Sequence, residues 1–130
     1  MTSTKRVLVV DDEMEFTNLL KLALELDGGY DVREVYSALR AIEVAREFNP
    51  HVILLDCMMP ELNGEELASQ MRRDPLLKGT PIIFLTATVS EPQVRPGENG
   101  EMRTYLPKPL RLPQLIKCIE DETVAARSVS

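Results

Sequence analysis

The sequence predicts an α/β fold in which an open parallel sheet carries helices on both faces. Three observations lead there. Residues 7–10, 52–55 and 82–85 are short apolar runs, rich in β-branched side chains, without polar alternation. Strands covered on both faces read this way. Between the runs lie segments whose apolar residues recur near every 3.6 positions, as on amphipathic helices. The connections are short, so strand and helix alternate five times.

Each element has its own signal. Residues 7–10 form the first strand. A helix follows over 13–27, with Phe16, Leu19, Leu20, Ala23, Leu24 and Leu26 on its apolar stripe and Gly28-Gly29 as its stop. Residues 31–35 are a weaker second strand. Ser37 caps a second helix carrying Leu39, Ile42, Val44, Ala45 and Phe48, ended before Asn49-Pro50. The third strand, 52–55, precedes a helix that starts near Asn63-Gly64, carries Leu67, Ala68 and Met71, and stops near Asp74-Pro75. The fourth strand is 82–85 and the fifth 104–106. Pro113, a good first-turn residue, starts the last helix, which continues through Leu115, Ile116, Ile119 and Ala125. One link is weak. Residues 89–103 should hold a fourth helix but contain Pro92, Pro96, Gly97 and Gly100. Proline in a helix costs ~3 kcal/mol and glycine ~1 kcal/mol, so a short or irregular segment is predicted there.

Composition narrows the class. Leu, Ile, Val and Phe supply 38 of 130 residues, enough for a core without disulfide or metal staples. The length suits one domain spanning 1–130, with a core of about 5–126 and residues 127–130 as a tail or the start of a linker. Lys plus Arg is 15 against 21 Asp plus Glu, a net charge of −6. A phosphate backbone repels that average, which argues against direct nucleic-acid binding. Cys57 and Cys118 are the only cysteines. No CxxC pair exists to make a zinc site, and two isolated thiols fit a reducing cytosol. The run at 7–10 is too short for a signal-peptide core, and no stretch approaches a membrane span. The expected location is cytoplasmic.

In open parallel sheets, ligands sit beyond the carboxyl ends of the strands. Those ends carry Asp11-Asp12, Asp56, Thr86-Ala87 and Lys108-Pro109. Three carboxylates, a hydroxyl and an ammonium should therefore meet at one edge. Two carboxylates ~4 Å apart repel by about 4 kcal/mol at an effective dielectric of about 20, so one binds a proton or a cation joins them. An all-oxygen ligand set with open positions favours magnesium. A carboxylate beside such an ion and a lysine is a nucleophile suited to a phosphoryl group. Taken singly, each residue has a plainer reading. An acidic pair favours a helix N-terminus, Thr86 bonds backbone, Lys108 is solvated, and Tyr105 is a core aromatic.

The conjunction resembles the receiver domain of bacterial two-component response regulators. The resemblance rests on Val9-Val10-Asp11-Asp12-Glu13, Asp56-Cys57-Met58-Met59-Pro60 with Gly64, Thr86-Ala87, and Tyr105-Leu106-Pro107-Lys108-Pro109. The intervals are 44 residues from Asp12 to Asp56, 30 more to Thr86 and 22 more to Lys108. The resemblance implies a flavodoxin-like strand order 2-1-3-4-5. It implies Asp56 as the phosphoacceptor, supplied by a phosphohistidine on a sensor histidine kinase or a histidine phosphotransfer protein. It implies Mg2+ held by Asp12 and Asp56, by Asp11 through water, and by the backbone carbonyl of Met58. Thr86 and Lys108 are the expected readers of the phosphoryl oxygens, Tyr105 is the expected aromatic switch, and the Lys108-Pro109 bond is expected to be cis. The output, an attached domain or a separate effector, stays open. So does the choice between a stand-alone receiver and part of a larger protein.

Two alternatives are weaker. A binding module without phosphorylation has no need of Asp11, Asp12, Asp56, Thr86 and Lys108 together. An aspartyl phosphohydrolase wants a second acid two residues after its nucleophile, where Met58 stands. Nucleotide and flavin binding lack a Gly-rich phosphate loop. The chain also departs from its apparent relatives twice. Met58 is an apolar neighbour of the phosphoryl site, which predicts slow to moderate loss of the phosphoryl group. The 89–103 segment is either a permanently irregular loop or one that orders on phosphorylation.

Overall fold

The computed structural model describes residues 4–97 and 100–128, with side chains as far as Val124. Along the chain run β1 (Arg6–Val10), α1 (Met14–Ala23), β2 (Asp31–Val35), α2 (Ala38–Phe48), β3 (Val52–Asp56), α3 (Gly64–Arg73), β4 (Ile82–Thr86), β5 (Gln93–Pro96), β6 (Met102–Pro107) and α4 (Leu112–Ser128). The sheet order is β2-β1-β3-β4-β6-β5. All neighbours are parallel except β5, which runs antiparallel to β6 at the edge. The expected 2-1-3-4-5 order is present, with β6 as its fifth strand.

The unbroken apolar runs now have a geometric reason. Successive strand side chains point to opposite faces. Leu8, Val10, Ile53, Leu55, Ile82, Phe84 and Tyr105 pack towards α2 and α3. Val7, Val9, Val52, Leu54, Ile83, Leu85 and Leu106 pack towards α1 and α4. Because both faces are covered, both sets of alternating positions are apolar. Parallel pairing then brings the carboxyl ends of β1, β3, β4 and β6 to a common edge.

Several helix details differ from expectation. The first helix continues past Ala23 as a π-helical turn, Leu24–Gly28, closed by Gly29 at φ 66°. Leu19 and Leu26 point to solvent, whereas Thr17, Leu20 and Leu24 are buried. Thr17 tolerates burial because its hydroxyl donates to the Met14 carbonyl at 3.0 Å. On α2 the buried stripe is Ala38, Ala41, Ala45 and Phe48, and Leu39 is exposed. The first helix with its π-helical turn holds five leucines, more than a single stripe accommodates, and the one leucine of α2 lies off its buried stripe. Ser37 precedes α2 but makes no side-chain cap. Glu61 takes that role, accepting from the Ala38 N–H at 3.1 Å and the Ser37 hydroxyl at 3.0 Å. In α4, Leu115 and Ile119 are buried and Ile116 packs beside them. Ala125 lies outside the residues whose side chains are described.

No helix occupies 89–97 or 100–103. The segment expected to be short or irregular contains the four-residue strand β5. Its return turn uses the glycines: Gly97 N–H donates to Glu101 O, Gly100 N–H donates to Gly97 O, and Gly100 has φ 82°, a region glycine enters without cost. Among the described residues, no helix is long and apolar enough to cross a membrane.

Candidate functional site

Asp11 follows β1 directly, held there by its N–H to Val35 O at 3.0 Å. Its side chain is fully buried. One carboxylate oxygen accepts the Glu13 N–H at 3.0 Å, and the other accepts Lys108 Nζ at 2.7 Å. Asp12 is exposed at the rim. Asp56 ends β3 and is 5% exposed. It accepts the Met58 N–H at 3.2 Å and faces Lys108 Nζ at 3.5 Å. Carboxylate oxygens of Asp11, Asp12 and Asp56 all lie within 4.8 Å of one another. The three carboxylates and the ammonium expected from the strand ends are thus brought together.

Its electrostatics are unbalanced. Burial raises the Asp56 carboxyl above its ordinary value, and the Asp11 charge adds to this; the Met58 N–H and Lys108 oppose it. Burial alone lowers the Lys108 ammonium, but its hydrogen bond and attraction to Asp11, with Asp56 and Glu13, outweigh that and hold it above its ordinary value. One ammonium serves several carboxylates. The donor set is oxygen only, which fits a small divalent cation better than a soft metal.

Backbone geometry locks the loops around this edge. Gly64 opens α3 against the end of β3; a Cβ there would lie 2.3 Å from Asp56 O and 2.9 Å from Cys57 Cα. Asn63 caps α3 by accepting the Glu66 N–H at 2.8 Å. The Lys108 N–H donates to Thr86 O at 2.9 Å, and the Lys108-Pro109 bond is cis, as the resemblance implied. Thr86 ends β4, buried, with its hydroxyl 3.0 Å from that of Thr88.

Thr86 and Thr88 border a groove of about 650 Å³ shared with Met58, Glu65, Arg95 and Tyr105. Met58 is exposed at its margin. Tyr105 is 4% exposed. Its hydroxyl donates to Glu65 Oε1 at 2.7 Å and its ring stacks on Phe84 with centroids 4.9 Å apart. Cys57 also lines the groove; burial pushes its thiol up to about 11, which suppresses the reactive thiolate. His51 accepts the Arg6 N–H through Nδ1 at 2.9 Å just before β3, at the end of that strand opposite Asp56 and bonded to the start of β1.

Four contributors were not singled out as parts of the site. Glu13 is a further carboxylate on Lys108, at 3.2 Å. The Phe16 ring lies under Lys108 Nζ at 4.6 Å. Glu65 and Arg95 flank Tyr105. Glu13 and Phe16 lie close in sequence to the Asp11-Asp12 pair, but their meeting with Lys108 is long-range and no local pattern encodes it. Arg95 had none, because its position depends on a strand pairing.

Comparison with known proteins agrees with this geometry. A family model described as the response regulator receiver domain matches residues 7–120. The polar-differentiation response regulator DivK of Brucella ovis is 31% identical over 117 residues, covering 90% of this chain and 94% of DivK. Two solved structures share the fold. A CheY-like receiver domain protein from Methanospirillum hungatei superposes with a TM-score of 0.81 at 24% identity, covering 98% of this chain and 100% of that one. The receiver domain of sensor histidine kinase PA1611 from Pseudomonas aeruginosa gives 0.77 at 24% identity, covering 93% and 98%; that structure has a magnesium ion coordinated in its active-site cleft.

Proposed function

Because the chain belongs to the response regulator receiver domain family, we propose that Asp56 is its phosphoacceptor and that Asp11, Asp12, Thr86 and Lys108 serve that one carboxylate. The family makes the chain a phosphorylation-switched signalling module, partnered by a histidine kinase or a phosphotransfer protein. The only reaction it catalyses is its own phosphorylation and dephosphorylation.

The chemistry follows from the residues present. An Asp56 carboxylate oxygen attacks phosphorus as the bond from phosphorus to the donor imidazole nitrogen breaks. The electron pair leaves on the imidazole, and an acyl phosphate forms on Asp56. Hydrolysis reverses the gain: water attacks phosphorus and the Asp56 carboxylate leaves. Lys108 already sits among the carboxylates, within ion-pair distance of Asp56. It supplies positive charge as phosphoryl oxygens arrive. The Thr86 hydroxyl, now shared with Thr88, is the donor that can turn to a phosphoryl oxygen.

Mg2+ fits this site on its donor chemistry: three carboxylates within 4.8 Å against, among the described residues, a single paired ammonium. Asp11, Asp12, Asp56 and the Met58 backbone carbonyl would hold it. When bound, it supplies the divalent charge that neutralises the carboxylates and the incoming phosphoryl oxygens. The magnesium ion of the PA1611 receiver is consistent with that assignment. Tyr105 is read as the aromatic element of the switch, responding to Thr86 across the shared groove. We place the whole unit in the cytoplasm, as a single receiver domain, on its free thiols and its kinase-type phosphodonor.

The single observation that carries this reading is the meeting of the Asp11, Asp12 and Asp56 carboxylates, with Lys108 paired to Asp11 and Asp56. The test is incubation with Mg2+ and a small phosphodonor, followed by intact-mass measurement. Wild type gains one phosphoryl group, and Asp56→Asn gains none. No gain in wild type would leave the fold acting as an unphosphorylated binding module.

A further inference from the structure

The α2/α3 side of the sheet has an opening where no helix follows β4, yet Phe84 and Tyr105 beneath it are buried. Arginine side chains cover them. The Arg95 guanidinium lies 4.1 Å from the Tyr105 ring centroid, and that of Arg103 lies 5.4 Å from the Phe84 centroid. Register explains the arrangement. β5 and β6 pair Arg95 with Arg103 and Gln93 with Tyr105. Arg95 and Tyr105 are therefore diagonal neighbours on one face, within reach of a long side chain. The intervening residues, Val94 and Thr104, face α4 instead, where they line a groove with Cys118.

Tyr105 is held from three directions. Phe84 stacks on one side of its ring, Arg95 lies over the ring, and Glu65 at the start of α3 accepts its hydroxyl. Guanidinium over an aromatic face is attractive through the ring quadrupole. The Glu65 bond is charge-assisted and short.

We propose that Arg95 is a positioning residue which, with Glu65, latches Tyr105 inward before any phosphoryl group arrives. This rests on the receiver reading, in which Tyr105 is the aromatic that follows Thr86. The usual coupling needs a ring that swings into place when Thr86 moves. Here the place is already filled, and the residue that fills it answers to the β5–β6 hairpin. Arg95 shares the groove with Met58, Thr86 and Thr88, so the latch borders the phosphoryl site itself. The population of the inward ring is set by Arg95, and phosphorylation starts from a switch that is partly thrown.

The test separates the latch from the receiver reading. The chain has three tyrosines, so a Tyr105→Phe spectrum assigns the Tyr105 ring signals by NMR without any phosphodonor. In wild type those signals should show the ring-current shift of a ring stacked on Phe84. Arg95→Ala should move them towards those of an exposed tyrosine, and Arg95→Lys should largely restore them. Glu65→Gln, which keeps a hydrogen-bond acceptor, should shift them less than Arg95→Ala. Phosphorylation of Arg95→Ala by a small phosphodonor should slow by about two- to fivefold, the range that an exposed cation–π contact supports, with recovery in Arg95→Lys. Arg95 is exposed, so the fold should survive; amide signals from β1 to β3 verify this. Superimposable Tyr105 signals in wild type and Arg95→Ala would overturn the latch. Failure of the receiver reading shows separately, as a wild type that gains no phosphoryl mass while its Tyr105 ring still depends on Arg95.

Discussion

Two neighbouring regions of this sheet handle buried charge in opposite ways. At the carboxyl edge, Asp11 and Asp56 are buried beside each other, with Asp12 at the rim, and Lys108 is the one ammonium paired with them among the described residues. On the hairpin face, Arg103 is buried as well, but it pairs with Glu101 at 2.9 Å and lies against the Phe84 ring. The first arrangement leaves charge uncompensated. The second leaves none of its own. Uncompensated negative charge draws in a cation, and the cation with Lys108 can then receive phosphoryl oxygens, so the strained region is the working one.

The sharpest way to break this contrast is to remove Lys108. Lys108→Met leaves Asp11 fully buried without its ammonium. Loss of one partner from a buried pair costs about 3 kcal/mol. Urea unfolding without divalent cations should show that loss, and added Mg2+ should return part of it. An unchanged midpoint would mean that the edge is not strained. On the hairpin face, Arg103→Ala should cost about 2 kcal/mol, through lost aliphatic packing as much as lost charge. It should show no Mg2+ dependence. Mg2+ rescue of both variants would erase the distinction.

Asp56→Asn tests the strain from the other side. Its folded carboxyl is raised by burial first and by Asp11 second. The folded state therefore holds its proton to higher pH than the unfolded chain does. Between the ordinary carboxylate pKa and the raised one, wild type loses stability as pH rises. Asn carries no charge to bury. Without metal, the variant should melt about 3 °C above wild type at neutral pH. That advantage should shrink as pH falls towards the ordinary carboxylate range. A variant less stable than wild type at neutral pH would contradict the reading of a destabilising Asp56 charge.

The contrast also explains which parts were legible in the sequence. The acidic edge depends on residues that end strongly apolar strands, and a parallel sheet sends all those ends to one side. Asp56 could be placed with no knowledge of its neighbours. The hairpin face depends on pairing between β5 and β6. Gln93, Val94, Arg95 and Pro96 contain a single large apolar residue and no strand periodicity. Pro92, Pro96, Gly97 and Gly100 excluded a helix, but the return turn at Gly97 and Gly100 only has meaning once β6 is its partner. Glu13 on Lys108 is a contact across 95 positions, which no local pattern encodes. The exposed Leu19, Leu26 and Leu39 fail for a different reason: periodicity counts apolar residues, and burial is decided by which face the sheet takes up.

The smallest expected effect lies where the two regions meet. Met58 stands at the margin of the groove that joins the phosphoryl edge to Arg95 and Tyr105. Its side chain is flexible and apolar, so it holds no water in line with the acyl phosphate. An amide at the same position can accept from or donate to that water. Met58→Asn should therefore speed dephosphorylation about threefold, less than 1 kcal/mol in the barrier. It should leave the Tyr105 ring signals unchanged, because Met58 is not among the contacts that hold the ring. The loss of phosphoryl mass with time measures the first, and the unphosphorylated NMR spectrum measures the second. An unchanged rate would show that water reaches the phosphoryl group without help from this position. A faster rate with shifted Tyr105 signals would show that the groove transmits between its two ends. The latch and the hydrolytic site would then be one device rather than two.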